Sequence, residues 1–422
     1  MFSGLLSGAL TWRKEMIEMA LSAQFASRIG RMKASEIREL LKLLDQPGML
    51  SFAGGIPDPA LFPAEAFAEA FQNALSPAHQ AQSLQYSVSE GYLPLREWLA
   101  TYMSKLGVTC GPEHILITSG SQQALDYLGK LFLSPGDTAL VGWPTYLGAL
   151  AAFNAYEPRY DRLRAGENQP TAHYAEAAKA AGGRVKFAYL SPDFANPTGE
   201  TMTRAERLQV LEAAEALDAA VIEDAAYQDL RFDGAAVPPI LALEFERNGG
   251  DIESCRTIYC GTFSKTLSPG LRVGWLVAAT PVVQQLVLMK QASDLHSPTI
   301  NQIATCQVAE QLFDAHVDTL RSVYGRRRDA MLAALDAHMP EGVIWTKPEG
   351  GMFIWVTLPE GMSGAELLEQ ALSREKVAFV PGQAFYADAA GRNTLRLSFS
   401  NSNEATIAEG VARLGRVIRS MV

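Results

Sequence analysis

Thr257-Ile-Tyr-Cys-Gly-Thr-Phe-Ser-Lys265-Thr-Leu-Ser-Pro-Gly-Leu-Arg272-Val-Gly-Trp-Leu-Val-Ala278 sets a hydroxyl-rich turn, with one lysine and one arginine, between two apolar runs. The runs, 257–260 and 272–278, read as short buried strands, which puts Lys265 just beyond the C-terminal end of a strand. Working upstream, the arrangement recurs. Ile115–Thr118 leads into Gly120-Ser121-Gln122, and Thr138–Val141 into Trp143-Pro-Thr-Tyr146. Phe187–Leu190 leads into Asn196-Pro-Thr-Gly199, and Ala220–Glu223 into Asp224-Ala-Ala-Tyr227. Intervening stretches such as Gln122–Leu133 and Arg204–Leu217 have helical spacing. Strands apolar on both faces that alternate with helices predict an α/β fold with a mostly parallel sheet flanked by helices. We assign it residues 62–300, a large ligand-binding domain.

Downstream the pattern changes. A long helical pattern starts near Val282 and runs to Glu310. The strands Phe353–Thr357, Ala378–Pro381 and Thr394–Ser400 then surround a helix at Gly364–Arg374. This predicts a smaller α+β domain over 301–422, completed by an N-terminal arm within 1–61. In that arm Ile37, Leu40, Leu41 and Leu44 have helical spacing, Ser35 is a plausible N-cap, and Pro47-Gly48 ends the helix. Residues 1–18 read as an extension, since Met16 and Met19 could each begin the chain. Arg13 and Lys14 follow the apolar stretch Phe2–Leu10, the reverse of a signal peptide's charge order.

Composition narrows the function. The chain has 422 residues, 48% hydrophobic and 19% charged, which suits a globular protein and excludes disorder. Its net charge of −10 disfavours nucleic acid, and the densest basic run, Arg326-Arg327-Arg328, reads as one solvated helix face. No run is long and apolar enough to span a membrane. The four cysteines and six histidines show no metal-ligand spacing, so neither a metal nor a disulfide scaffold is expected. A cytoplasmic location follows as the default.

In open sheets of this kind the ligand crevice lies outside the carboxyl ends of the strands. Taken singly, a loop lysine is an ordinary solvated side chain and an aspartate after a strand an ordinary cap. Lys265, Asp224, Asn196, Tyr227 and Arg272 all fall on one sheet edge, which no such reading explains. Three sharper motifs fail. Gly261-Thr-Phe-Ser-Lys265-Thr266 lacks the glycines of a P-loop, and no Gly-x-Gly-x-x-Gly opens a helix after a strand. The Ser-x-x-Lys arrangement of β-lactamases fails because Thr262 stands where the serine should be.

The ordered set resembles the fold-type I, class I/II aminotransferases that use pyridoxal 5′-phosphate, nearest the 2-aminoadipate/kynurenine aminotransferase II branch. The resemblance runs from about Phe25 to the C-terminus. It rests on GRMKASEIRELLKLL (30–44), SFAGGIPDPALFP (51–63), LQYSVSEGYLPLR (84–96), ITSGSQQALD (117–126), NPTG (196–199), FSKTLSPGLRVGW (263–275), HSPTINQ (296–302), KPEGGMF (347–353) and TLRLSFS (394–400).

The resemblance implies roles. Lys265 would form the Schiff base with the cofactor aldehyde and move the α-proton, which an amine does only with a lowered pKa. Asp224 would pair with the pyridinium nitrogen, Asn196 and Tyr227 with the phenolic oxygen, and Tyr146 would stack on the ring. Ser121 and Gln122, at a strand-to-helix turn, would hold the phosphate with Thr262, Ser264 and Arg272. The family more often has serine at position 262. Tyr86 resembles the tyrosine that reaches a phosphate in the partner subunit, which implies a homodimer with shared active sites; the alternative is a tyrosine packed in the subunit's own core. Arg396 matches the α-carboxylate arginine, with Asn196 in support and Gly55 allowing close approach of the backbone.

Arg38 matches an arginine of the 2-aminoadipate branch that meets a distal carboxylate; the alternative is a solvated first-turn arginine. In the first case Arg38→Ala raises KM for glutamate or 2-aminoadipate and spares leucine; equal losses for both classes in steady-state kinetics reject it. The expected function is ping-pong transamination from an L-amino acid to a 2-oxo acid, with 2-oxoglutarate the expected acceptor. Cofactor residues alone also serve a β-lyase or a decarboxylase. A regulator that fuses this fold to a DNA-binding domain would need a longer N-terminal region than the roughly 24 residues preceding the match.

Overall fold

The computed structural model describes residues 21–32, 48–163 and 168–422. The helix expected over 34–44, Arg38 within it and the extension expected over 1–18 lie outside the described residues.

Seven strands form the central sheet: β2 (Ile115–Thr118), β3 (Thr138–Val141), β4 (Arg159–Arg162), β5 (Val185–Leu190), β6 (Ala220–Asp224), β7 (Thr257–Thr262) and β8 (Gly274–Val277). Their spatial order is β2-β8-β7-β6-β5-β3-β4. The run from β7 to β4 is parallel, and β8 alone runs antiparallel to both its neighbours. Every residue of β2, β3, β7 and β8 is buried, as expected for a sheet with helices on both faces. The α/β class stands. β4 is the exception, an edge strand with the pattern Arg-Tyr-Asp-Arg, too polar to stand out in sequence.

Several expected elements differ: the strand read over 378–381 divides into Val377–Ala378 and Val380–Pro381, which join different sheets, and the helix read over 364–374 ends at Gln370 and continues as a π-turn over Ala371–Glu375. The strand read over 272–278 begins only at Gly274, because Arg272 adopts φ +55°, a left-handed turn that no strand accommodates. The helical pattern read over 282–310 is two helices, α3 (Thr280–Ser293) and α4 (Thr299–His338). For reference, α1 is Ser121–Phe132 and α2 is Leu147–Asn154. Asp294 to Pro298 separates α3 from α4, and Pro298 occupies the N-cap position of α4, where its missing N–H costs no intrahelical bond.

The division expected at residue 300 falls in the first turn of α4, which serves two cores. Ala304, Val308, Phe313 and Val317 pack with the central sheet, whereas Leu320, Tyr324 and Met331 pack into a second core with Phe353, Leu397 and Val411. That second core carries an antiparallel sheet of β12 (Val380–Pro381), β13 (Thr394–Ser398), β10 (Phe353–Thr357) and β9 (Ile344–Trp345). A separate pair joins β1 (Leu50–Ser51) in parallel to β11 (Val377–Ala378), so the segment before residue 62 is stitched to the C-terminal part. Helix α5 (Glu404–Arg419) covers it.

The triplet Arg326–Arg328 is not a solvated face. Only Arg326 is exposed. Arg327 pairs with Asp58 at 2.6 Å and donates to the Ser400 carbonyl, and Arg328 pairs with Asp233 at 2.6 Å and donates to the Pro348 carbonyl at 2.9 Å. Two adjacent arginines thus hold the Asp58 loop and the 348–350 segment against α4.

Candidate active site

The carboxyl ends of β2, β3, β5, β6 and β7 converge on a cavity of about 150 Å³. Ser121, Gln122, Tyr146, Asn196, Asp224, Tyr227, Thr262, Ser264, Lys265 and Arg272 line it. Sequence reasoning had placed all ten there.

Part of the lining is built for an anion. Gly120 takes φ +76° at the N-cap of α1, which sets Ser121 and Gln122, at the positive end of the helix dipole, in the cavity wall. A Cβ at Gly120 would collide with the Arg272 guanidinium. The turn after β7 folds back on itself: Thr262 Oγ1 donates to Ser264 Oγ at 2.9 Å and accepts from the Ser264 N–H at 3.1 Å. Arg272, held by its left-handed turn, donates to Ser264 Oγ (3.4 Å) and to the Pro269 and Ser119 carbonyls (3.1 and 3.3 Å). Three hydroxyls, one guanidinium and a helix N-terminus meet, and among the described residues no carboxylate pairs with Arg272. Gln122 is anchored by a 2.6 Å bond to the Gly148 carbonyl and lies 3.5 Å from the Tyr146 hydroxyl.

Asp224, the last residue of β6, also lines the cavity. Burial lifts its carboxyl to about 6; the Tyr189 hydroxyl, the Ala226 N–H and the Lys265 ammonium pull it down. Oδ2 accepts from Tyr189 at 2.7 Å, while Oδ1 is buried without a partner. An unpartnered buried carboxylate oxygen is costly, and a cationic ligand group would complete it.

Lys265 lines the same cavity. Its Nζ donates to the Gly55 carbonyl at 2.8 Å and stands 5.7 Å from the Tyr227 ring centroid. Burial, with Arg396 and Arg272 nearby, lowers the amine to about 8, against an opposing pull from Asp224. A lysine so tuned is partly free base near neutral pH, which suits a nucleophile and proton carrier.

Arg396, on β13, is 1% exposed and reaches in behind Asn196. It donates to Asn196 Oδ1 and the Ala53 carbonyl, each at 2.7 Å, and lies over the Phe353 and Phe385 rings at 4.2 and 5.0 Å. Its Nε has no partner. Asn196 Nδ2 in turn lies 3.5 Å from the Tyr227 hydroxyl. A Cβ at Gly55 would stand 2.7 Å from the Phe353 ring, so glycine is required for that close approach.

The Asn196 loop is fixed from outside. Arg207, fully buried, donates to the Met202, Pro238 and Pro192 carbonyls at 3.1, 3.1 and 3.3 Å and pairs with Asp193 at 2.8 Å. Tyr86 stands apart. Its side chain is largely exposed, away from the cavity, and meets His296 edge-on at 6.1 Å between ring centroids. Arg38 lies outside the described residues.

Sequence reading missed Tyr189, Ser191, Phe353 and Phe385. Ser191 lines the cavity and donates to the Asp224 carbonyl at 3.1 Å. A tyrosine within a buried strand signals that its hydroxyl needs a partner, and that was the available cue for Tyr189.

The profile of the family described as Aminotransferase class I and II matches residues 49–414. A 2-aminoadipate transaminase of Thermus thermophilus is 43% identical over 407 residues, covering 96% of this chain and 99% of that one. Two solved structures superpose along nearly the whole chain. An α-aminoadipate aminotransferase of T. thermophilus, complexed with N-(5′-phosphopyridoxyl)-L-leucine, has a TM-score of 0.84 at 42% identity, covering 95% of this chain and 98% of the other. The kynurenine aminotransferase of Pyrococcus horikoshii, with PMP, has a TM-score of 0.87 at 41% identity and the same coverage. The chain belongs to the class I and II aminotransferases. It is a pyridoxal-phosphate-dependent enzyme of fold type I that moves an amino group between an amino acid and a 2-oxo acid. Among the described residues, no helix is long and apolar enough to cross a membrane, and no group of three or more His, Cys, Asp or Glu could hold a metal.

Proposed function

We propose that this cavity carries transamination with 2-oxoglutarate as the amino acceptor, and with 2-aminoadipate, leucine or an aromatic amino acid as donor. The observation that carries the assignment is Asp224 Oδ1, buried and unpartnered in a cavity that Lys265 and an anion cradle also line. Those features fit a ring bearing a cationic nitrogen at one side and a phosphate at the other. Ser121, Gln122, Thr262, Ser264 and Arg272 hold the phosphate, and Asp224 the ring nitrogen. Tyr146 lies against the ring face, and Asn196 and Tyr227 bond the phenolic oxygen.

When bound, pyridoxal phosphate supplies an aldehyde that takes up the amino group and a ring that accepts the electron pair of the broken Cα–H bond. Lys265 Nζ takes the proton from the substrate Cα. Arg396, with Asn196 beside it, grips the α-carboxylate through its planar fork and so aims the Cα–H bond at Lys265. The buried guanidinium supports this reading, because its charge has no carboxylate partner among the described residues. Tyr86 reaches the phosphate of a second copy of the chain; its exposed phenol beside exposed Leu84 and Val88 supports a homodimer. Four free thiols support a cytoplasmic location.

The test is an absorbance spectrum of the holoenzyme mixed with single amino acids and no oxo acid. Bleaching of the visible band with stoichiometric release of the 2-oxo acid is expected, and the rates rank the donors. Release of ammonia with pyruvate, or of carbon dioxide, would instead identify a β-lyase or a decarboxylase.

A further inference from the structure

The two oxygens of Asp224 are treated differently. Oδ2 accepts from the Tyr189 hydroxyl at 2.7 Å, and Oδ1 is left buried and open. Tyr189 is wholly buried on β5, where it pairs with Ile222 of β6. Residues 222 and 224 share a face of their strand, so Tyr189 projects on the same side of the sheet as Asp224. Phe153 meets its ring edge-on at 5.5 Å between centroids and 77° between planes, which keeps the hydroxyl from swinging away. Tyr189 does not line the cavity.

We propose that Tyr189 is a positioning residue: its O–H occupies one oxygen of Asp224 and fixes the carboxylate so that the other faces the cofactor's ring nitrogen. This rests on the assignment of Asp224 to that nitrogen. Burial and the neighbouring carboxylate push the Tyr189 phenol well above its ordinary value, so it stays a donor throughout the working pH range. Around Asp224 the other polar groups include the Ala226 N–H, Lys265, Tyr146, Tyr227 and Cys260, with Ser191 on its backbone carbonyl. Phenylalanine at 189 would keep the packing but remove a hydrogen bond that holds the carboxylate both oriented and ionised.

The test compares Tyr189→Phe, Asp224→Asn and the double variant, each prepared as holoenzyme. Cofactor dissociation is followed on dialysis, the visible absorbance is titrated against pH, and kcat and KM are measured. Loss of one hydrogen bond to a charged group predicts a roughly 10–100-fold weaker hold on the cofactor in Tyr189→Phe, with a displaced absorbance titration. kcat falls while KM for the amino donor is unchanged. In the Asp224→Asn background Tyr189→Phe adds nothing, since it acts through a carboxylate no longer there. Unchanged affinity and titration in Tyr189→Phe, with both lost in Asp224→Asn, overturn the proposal and leave Tyr189 a core side chain. If Asp224→Asn also keeps its affinity, the assignment of Asp224 itself fails. Should Tyr189→Phe not fold, Phe153→Leu loosens the same ring and leaves the hydrogen-bonding groups intact. Weaker cofactor retention there supports the proposal, and retention at the wild-type level overturns it.

Discussion

Lys265→Ala is expected to lower kcat for transamination by at least about 10⁴-fold, the upper end of what one positioned acid–base group contributes. The reason lies in where the amine sits. Nζ is tethered to the Gly55 carbonyl, and burial with two guanidinium neighbours brings it down to about 8. Among the described residues no other lysine lines the cavity. Lys265→Arg separates charge from basicity: arginine keeps a cation there but does not release its proton in the working range. It should be as inactive as the alanine variant. The phosphate cradle is untouched in both, so both should still bind the cofactor, though more weakly.

A pH dependence follows from the same shift. The amine attacks the cofactor aldehyde only as free base, so the rate at which apoenzyme takes up pyridoxal phosphate should rise with pH and level off above about 8. Stopped-flow absorbance measures it. A rise continuing to the range of an ordinary lysine would mean that the site does not depress the amine. Borohydride reduction of the wild-type holoenzyme, followed by peptide mass analysis, should leave the cofactor's mass on Lys265.

Why these residues could be read from sequence is physical. Each polar residue of the cavity follows a short apolar run, and a run buried on both faces fixes which end of the strand opens to ligand. Lys265, Asp224 and Asn196 are therefore placed by their strands. What sequence could not supply were pairings across long separations. Arg327 and Arg328 look like a solvated face because their acids, Asp58 and Asp233, lie far away in the chain. Tyr189 looks like core because a tyrosine in an apolar strand fits the pattern whether or not its hydroxyl has work. Arg272 looks like the start of a strand because Val273 to Ala278 is apolar; only its positive φ shows that the backbone turns there to aim the guanidinium. β4 was invisible because an edge strand needs no apolar face.

Arg396→Ala is expected to reduce kcat/KM for amino acids by roughly 10²–10⁴-fold. Two hydrogen bonds to a charged carboxylate are worth about 3–6 kcal/mol together, and each 1.4 kcal/mol is about tenfold. The setting favours a large effect. The guanidinium is 1% exposed and lies over the faces of Phe353 and Phe385, and Asn196 and the Ala53 carbonyl fix its plane. Arg396→Lys keeps the charge but not the fork, so it should recover only part of the loss. Cofactor retention should be near wild type in both, because Arg396 does not belong to the phosphate cradle. Discrimination is the decisive readout. Wild-type enzyme should prefer an amino acid over the corresponding amine lacking its α-carboxylate, and Arg396→Ala should lose most of that preference. If both substrates slow equally, the arginine is holding the fold and not the carboxylate. The same variant tests the electrostatics around Lys265. Arg396 is the largest charge effect lowering that amine, so its removal should shift the midpoint of cofactor uptake to higher pH. One substitution thus reads out both ends of the proton transfer, the group that aims the Cα–H bond and the group that receives its proton.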